Sequence, residues 1–186
     1  ICPDSNIYDL GCSIGTATLT IRHNIRYPNC RIVAVDNSTA MSERCRTQCG
    51  RDISPVAVDV YCKDIESVTI ENASMVVLNF ILQFISPEKR SLILKKVYDG
   101  LLSGGILVLS EKIRYKDRAI QEVFESLHDE FKRHNGYSDL EISQKRTSLE
   151  KVLIPETLNT HINRLRKIGF SQINPWFTCL NFISII

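Results

Sequence analysis

Residues 7–15, Ile7-Tyr8-Asp9-Leu10-Gly11-Cys12-Ser13-Ile14-Gly15, decide how the rest of the chain is read. Ile7, Tyr8 and Leu10 form a short apolar strand around Asp9, and Gly11 and Gly15 close a turn before a helical pattern that starts near Thr16. Roughly twenty residues further on, in the spacing of a strand–helix–strand unit, Ile32-Val33-Ala34-Val35 ends in Asp36. A glycine turn at the end of a first parallel strand lets a ligand come close to the backbone. An acid ending the second strand accepts hydrogen bonds from the two hydroxyls of a ribose. The pair predicts a cofactor built on a nucleoside.

Outward from that stretch, apolar runs alternate with helical ones. Strands are expected at 6–9, 31–35, 57–61, 74–79 and 105–111, and helices near 16–26, 39–50 and 87–102. Ser86 is expected to cap the last of these with Pro87 in its first turn, and Gly104-Gly105 to break the chain before the fifth strand. Such alternation argues a parallel sheet covered on both faces. Residues 113–155 interrupt it with a charged helical insertion, apolar at Ile120, Val123, Phe124, Leu127 and Phe131. Asn135-Gly136-Tyr137 makes a turn there, a second helical piece covers 139–153, and Pro155 closes the insertion. A helix over 156–168 and two strands, 171–177 and 180–185, complete a single domain spanning 1–186.

Composition narrows the function classes. Of 186 residues, 24% are charged and 44% apolar, with a net charge of +2, an ordinary globular balance without the strong basic excess of a nucleic-acid binder. The densest basic cluster, Lys132-Arg133-His134 with Lys145-Arg146, reads as a solvated helix face, and no direct nucleic-acid contact is expected. The seven cysteines are odd in number, scattered and without a Cys-x-x-Cys pair. Reduced thiols in the cytoplasm are expected, with Cys45 and Cys49 on one helix face, and no metal site. No apolar run reaches membrane-spanning length and no signal peptide is visible. Ile1-Cys2-Pro3-Asp4 leads almost directly into the first strand without an initiator Met, so the natural N-terminus is expected further upstream.

The details of the turn select the cofactor. A dinucleotide fingerprint wants a glycine where Ser13 stands, and no Gly-Lys-Ser/Thr follows to make a phosphate loop. The form Asp-x-Gly-x-x-x-Gly, with Asp9 two residues before Gly11, resembles the first motif of the class I S-adenosylmethionine-dependent methyltransferases. Asp64-Ile65 follows the third strand, where the acid can take the adenine amino group and Ile65 can cover the ring. Asn79 ends the fourth strand, beside the cofactor's reactive end. Ligands of open α/β sheets bind beyond the carboxyl ends of the strands, so four polar positions at four successive strand ends reinforce one another. Asn79-Phe80-Ile81-Leu82 lacks the paired prolines found where exocyclic base amines are methylated, which points to a small substrate.

Longer strings resemble one family. Tyr8-Asp9-Leu10-Gly11-Cys12-Ser13, the run from Glu71 to Phe80, Leu109-Ser110-Glu111-Lys112, Phe131-Lys132-Arg133-x-Asn135-Gly136-Tyr137-Ser138, Glu141-x-Ser143-Gln144-Lys145-Arg146 and Trp176-Phe177-x-Cys179-x-Asn181-Phe182 are similar to the carboxy-S-adenosyl-L-methionine synthase family, in collinear order over essentially the whole chain. The resemblance implies a Rossmann-like class I fold: a mostly parallel seven-stranded sheet with helices on both faces, an antiparallel last strand and a helical insertion after strand 5. It implies that S-adenosylmethionine is the molecule modified, without a metal. Its methyl carbon loses a proton to give an ylide that captures carbon dioxide from prephenate, which becomes phenylpyruvate. A partner enzyme then uses the product to carboxymethylate the wobble uridine of tRNA.

The resemblance also implies site residues. Gly11, Cys12 and Ser13 are backbone contacts to the cofactor, Asp36 and Asn37 the ribose-edge pair, Asp64 and Ile65 the adenine pair, and Asn79 a contact to the amino-acid portion. Arg146 is the catalytic cation that holds the new carboxylate, as a guanidinium does in a fork. The family forms homodimers, and Arg146 serves its own subunit or a neighbour. It also has an N-terminal segment before the first strand that this sequence lacks, and usually an alanine where Thr16 stands, at a place where threonine can cap the first helix. Two other functions remain open: a small-molecule methyltransferase with Arg146 gripping an acidic acceptor, and a truncated, non-catalytic binding or dimerisation module.

Overall fold

Five strands, β1 (Asn6–Leu10), β2 (Arg31–Asp36), β3 (Ala57–Cys62), β4 (Ala73–Asn79) and β5 (Leu101–Lys112), run parallel in the computed structural model, which describes residues 1–150 and 152–186. A hairpin of β6 (Pro175–Cys179) and β7 (Phe182–Ile185) completes a seven-stranded sheet of order β3-β2-β1-β4-β5-β7-β6, with β7 antiparallel to both its neighbours. The chain turns one way from β1 to β2 and the other way to β4. The crevice beyond the carboxyl ends of β1 and β4 is therefore the switch point where such sheets bind ligands.

Alternation along the buried strands sends successive side chains to opposite helical layers. Tyr8, Leu10, Val76 and Leu78 pack with Leu94 and Val97 of α3 (Pro87–Gly100) and Leu165 of α6 (Leu158–Ile168). Ile7 and Ile32 pack with Ile25, just beyond α1 (Thr16–Asn24), and Ala34 packs with Cys45 and Cys49 of α2 (Thr39–Arg51). All seven cysteines are free thiols, and the Cys45 and Cys49 sulfurs lie 4.0 Å apart on one face of α2.

Four local expectations are corrected. The fifth strand starts at Leu101, not 105: Ala73 pairs with Leu101 and Met75 with Ile106, so Gly104-Gly105 sits in a bulge within β5, and α3 stops at Gly100. The sixth strand is 175–179 rather than 171–177. Phe170 and Ile173 pack into the core from an irregular segment, and hairpin pairing with β7 sets the strand around a turn in which Leu180 takes φ +53°. Thr16 does not cap α1; Gly15 occupies that position and no side chain bonds there. Ser86 holds the cap position of α3 with Pro87 following, but its hydroxyl caps no backbone N–H.

The insertion folds as α4 (Arg118–His134) and α5 (Asp139–Glu150), joined at Asn135-Gly136. The expected reach of the second helix to 153 runs through residue 151, outside the described residues. Asp117 caps α4 by accepting the N–H groups of Ala119 (2.8 Å) and Ile120 (3.1 Å). No residue of α4 is buried, whereas Ile142 of α5 is. The insertion's exit is fastened firmly. Arg90 of α3, fully buried, donates to the carbonyls of Ile85 and Ile154 (2.8 Å each), and its guanidinium lies 2.6 Å from Glu156, which also takes Arg164 at 2.7 Å. Burial pushes the Glu156 carboxyl up, but the two guanidiniums, Arg164 foremost, outweigh it and hold the group at about 2.

Candidate active site

The turn after β1 is built from three left-handed residues, Gly11 (φ +88°), Ser13 (φ +49°) and Gly15 (φ +90°). Gly11 and Cys12 donate to the Val35 carbonyl at 2.7 and 2.9 Å, hooking the turn over the end of β2. Glycine is required at 15 on two counts: the conformation, and a Cys45 sulfur that would lie 2.8 Å from any Cβ placed there. Beneath the turn Asp9 is fully buried and accepts the Thr18 hydroxyl at 2.6 Å, tying β1 to α1; burial pushes its carboxyl above the ordinary range. Asp9 therefore supports the turn from below.

Asp36 closes the rim on the next strand. One carboxylate oxygen accepts the Ser13 N–H and the other the Ser38 N–H, both at 2.9 Å. Each oxygen keeps a second lone pair for a ligand hydroxyl. The Asn37 amide donates to Asp64 at 3.0 Å, linking the ends of β2 and β3. Gly11, Asp36, Asn37, Asp64 and Ile65 all line one cavity of about 420 Å³, within the usual size range of small-molecule pockets. A larger cavity, about 680 Å³, opens at the opposite rim beside Gly104, Gly105 and Phe170, and among the described residues no charged side chain lines it.

The far wall of the rim cavity is the loop after β4, which supplies Ile81, Phe84 and Ile85. Ile81 lies directly against the glycine turn: a Cβ on Gly11 would stand 2.0 Å from its Cδ1. The loop leaves Asn79 through Phe80, whose φ of +60° is unusual for a bulky residue. It is pinned from β5. Phe80 donates to the Ser110 carbonyl at 2.7 Å, and the Glu111 carboxylate accepts the N–H groups of Ile81 (3.1 Å), Leu82 (2.8 Å) and Gln83 (3.1 Å).

Arg146 does not line this cavity. It stands on α5, roughly half exposed, in an ion pair with Asp129 of α4. Asp129 also takes Lys132 at 3.1 Å. Next to these groups, Phe182 at the start of β7 gathers three neighbours: Phe80 edge-on at 5.7 Å, His128 edge-on at 5.1 Å, and the Lys112 ammonium 6.0 Å from its centroid. Burial, with Lys132, Lys112 and Lys145 nearby, drives His128 down to about 4, so it is neutral at physiological pH. Burial and the charge of Lys132 lower the Lys112 ammonium too. A cationic and aromatic cluster thus begins one residue beyond Asn79 and ends at Arg146.

The methyltransferase-domain family matches residues 7–105, from β1 into β5. A cyclopropane synthase from Mycobacterium tuberculosis superposes with a TM-score of 0.69 over 94% of this chain and 58% of its own, at 13% identity, a likeness of fold alone. A carboxy-S-adenosyl-L-methionine synthase of Shewanella sediminis is 56% identical over 183 residues, 98% of this chain and 75% of that protein. Its counterpart in Shewanella woodyi is 54% identical over 186 residues, 100% of this chain and 76% of that protein. The chain belongs to the carboxy-S-adenosyl-L-methionine synthase family. As a carboxy-S-adenosyl-L-methionine synthase it is a transferase with a Rossmann-like methyltransferase fold, and its reaction involves S-adenosylmethionine.

The structure of this synthase brings Gly11, Asp36, Asn37, Asp64 and Ile65 to one cavity. Cys12 turns its buried side chain away into the α2 packing, Ser13 stands exposed at the tip of the turn, and Asn79 ends β4 at the foot of the opposite wall. The residues at the rim fit a nucleoside: a diol acceptor, an acid for an exocyclic amine, and an apolar side chain for a ring face. Reading the sequence missed Ile81 and Glu111. Glu111 stood in the Leu109-Ser110-Glu111-Lys112 string without an assigned role, and its other signal was an acid near the end of a largely apolar strand. No helix among the described residues is long and apolar enough to cross a membrane.

Proposed function

We propose that this synthase converts S-adenosylmethionine and prephenate into carboxy-S-adenosylmethionine and phenylpyruvate. The cofactor's methyl carbon gains the carboxyl group. Prephenate loses carbon dioxide and hydroxide, and the hydroxide takes up the proton released from the methyl group, giving water. Gly11, Cys12 and Ser13 hold the cofactor through their backbones, Asp36 and Asn37 its ribose, Asp64 and Ile65 its adenine, and Asn79 its amino-acid end. Arg146 receives the new carboxylate.

The observation that carries this reading is the cluster around Phe182. Lys112, Lys132, Lys145 and Arg146 crowd one place opposed by Asp129 and Glu125, with Phe80 and Phe182 as apolar neighbours. Like charges gathered at one place favour an anionic ligand, Lys112 there is also partly desolvated, and prephenate sets carboxylates on an apolar ring. An acidic methyl acceptor would use the same cations, and the product formed separates the two. We further propose that the chain works in the cytoplasm as a homodimer, joined through the exposed apolar face of α4, and that its product passes to an enzyme that carboxymethylates the wobble uridine of tRNA.

Incubation with S-adenosylmethionine and prephenate, followed by mass spectrometry, is expected to show the cofactor heavier by one carboxyl group. S-adenosylhomocysteine together with a methylated acceptor defeats the proposal. In calorimetry, Arg146→Ala is expected to lose roughly tenfold or more in affinity for carboxy-S-adenosylmethionine, as one charge-assisted pair warrants, while S-adenosylmethionine binding holds. Equal losses for both ligands remove Arg146 from its assigned role.

A further inference from the structure

Glu111 is 1% exposed, and among the described residues no cation pairs directly with its carboxylate, although Arg90 acts on it from nearby. Its two oxygens are spent on three consecutive backbone N–H groups, those of Ile81, Leu82 and Gln83, at 2.8–3.1 Å. Burying a carboxylate without a paired cation is expensive. A glutamine, like a protonated carboxyl, offers one full acceptor oxygen and a donor in place of the other, so holding all three N–H groups calls for the ionised acid. What the acid holds is specific. Ile81 lies against Gly11, Asn79 and Phe80 come immediately before it, and Phe84 follows in the same cavity wall. The loop also carries Gln83, which accepts the Lys112 N–H through its side chain (3.3 Å) and the Ile154 N–H through its carbonyl (2.8 Å). The far wall of the cofactor cavity and the exit of the helical insertion thus converge on one carboxylate.

We propose that Glu111 is a positioning residue for the cofactor: its ionised carboxylate sets the 79–84 loop against the glycine turn, and when protonated it lets that wall retreat. The proposal rests on the reading of the rim cavity as the S-adenosylmethionine site. Protonation turns one carboxylate oxygen into a hydroxyl, which donates its proton and accepts only weakly, so it serves an N–H group poorly. One of the three loop amides then loses its partner, and the loop loses the geometry that presses Ile81 on Gly11.

Burial raises the Glu111 carboxyl to about 7, against the pull of the three N–H groups and of Arg90. The switch between the two states therefore falls in the physiological range. The charged and titratable groups around it are Arg90 of α3, Glu156 paired with it, and His161 of α6, which burial holds at about 4 and hence neutral above pH 5. Lys112, next along β5, points by strand alternation to the opposite face, where it meets Phe182. β4, β7 and the 80–84 loop bring no ionisable side chain. The linkage has a definite sign. A carboxyl whose pKa rises on folding binds its proton more tightly in the folded chain. Its contribution to stability is largest below the ordinary carboxylate range and is lost as pH climbs through about 7. Loop positioning improves over that same window. Stability and cofactor affinity are thus expected to move in opposite directions with pH at this residue, which a merely structural anchor does not do.

The test is an amide titration by NMR between pH 5.5 and 8.5, on the chain and on Glu111→Gln. The N–H signals of Ile81, Leu82 and Gln83 are expected to shift with one midpoint near 7, the Gly11 amide to follow with that midpoint, and both responses to vanish in Glu111→Gln. A Gly11 amide that ignores the titration, or a titration that survives in Glu111→Gln, overturns the proposal. In parallel, calorimetry with S-adenosylhomocysteine is expected to show affinity rising roughly tenfold across the midpoint in the chain, the free energy of about one pK unit. In Glu111→Gln it is expected to be pH-independent, with thermal stability unchanged or raised at pH 8. An affinity loss that merely tracks a loss of melting temperature also overturns it. Absence of S-adenosylhomocysteine binding at every pH sinks the reading of the cavity instead, while the amide titration still decides whether Glu111 positions the loop.

Discussion

In the parallel half of the sheet, Ile7, Leu10, Ile32, Val35 and Leu78 are fully buried; in the insertion, Ile120, Val123, Leu127 and Phe131 repeat at helical spacing along α4 and are each about half exposed. Both segments are apolar in pattern. The first spends its apolar surface inside this chain, and the second holds it toward the outside. The difference teaches that helical periodicity predicts a face but not what covers it. Stability should accordingly reside in the sheet and in the fastening of the insertion's exit, with α4 contributing through association.

That contrast is open to attack at three points. The largest effect is expected at the exit, where Arg90→Met leaves Glu156 with Arg164 alone and strips the Ile85 and Ile154 carbonyls of their donor. Removing one member of such a pair costs about 3–5 kcal/mol, and chemical denaturation is expected to show a loss of that order. A loss within experimental error would mean that α3 and the insertion's exit are not coupled as described. Next comes Gly11→Ala, where the side chain meets Ile81 in a backbone conformation of φ +88°. Strain of about 1–3 kcal/mol is expected to weaken S-adenosylhomocysteine binding roughly 10- to 100-fold. Gly104→Ala is the control: its φ is +77° but an added Cβ meets nothing within 4 Å, far from the rim. If both alanines weaken binding alike, the contact with Ile81 carries no weight. The smallest effect on folding is expected from Val123→Lys with Phe131→Lys on α4, within about 0.5 kcal/mol per site, as for surface positions. The same pair is expected to shift sedimentation toward the monomer. An unchanged assembly with a destabilised fold would reverse the contrast.

How much of this was legible in the sequence follows the same division. The strand–turn–helix at 7–24 and the acid ending β2 were readable because both are local: a period, a glycine spacing and a carboxylate at a strand end. The ends of β5 and β6 were misplaced because glycine was read as a break where pairing with β4 makes a bulge, and because Phe170 and Ile173 are apolar without being extended in the sheet. Ile81 and Glu111 were out of reach for a plainer reason. Their contact spans 30 residues, and neither belongs to a repeating pattern. Arg146 was picked out by its string, yet its place on the Asp129 pair, away from the cavity lining, follows from how α4 and α5 fold back on each other.

The sheet order also has a bearing on how the chain is made. β7 comes after β6 in the sequence but lies between β5 and β6 in space. As the polypeptide leaves the ribosome, β6 emerges with no strand to join, and the long flank of β5 stays unpaired until the four residues Phe182–Ile185 arrive and slot in. An uncovered strand edge is a template for another chain. Until β7 pairs, the edge of β5 is therefore open to a neighbouring chain, and the placing of Phe182–Ile185 against Leu109–Lys112 closes it.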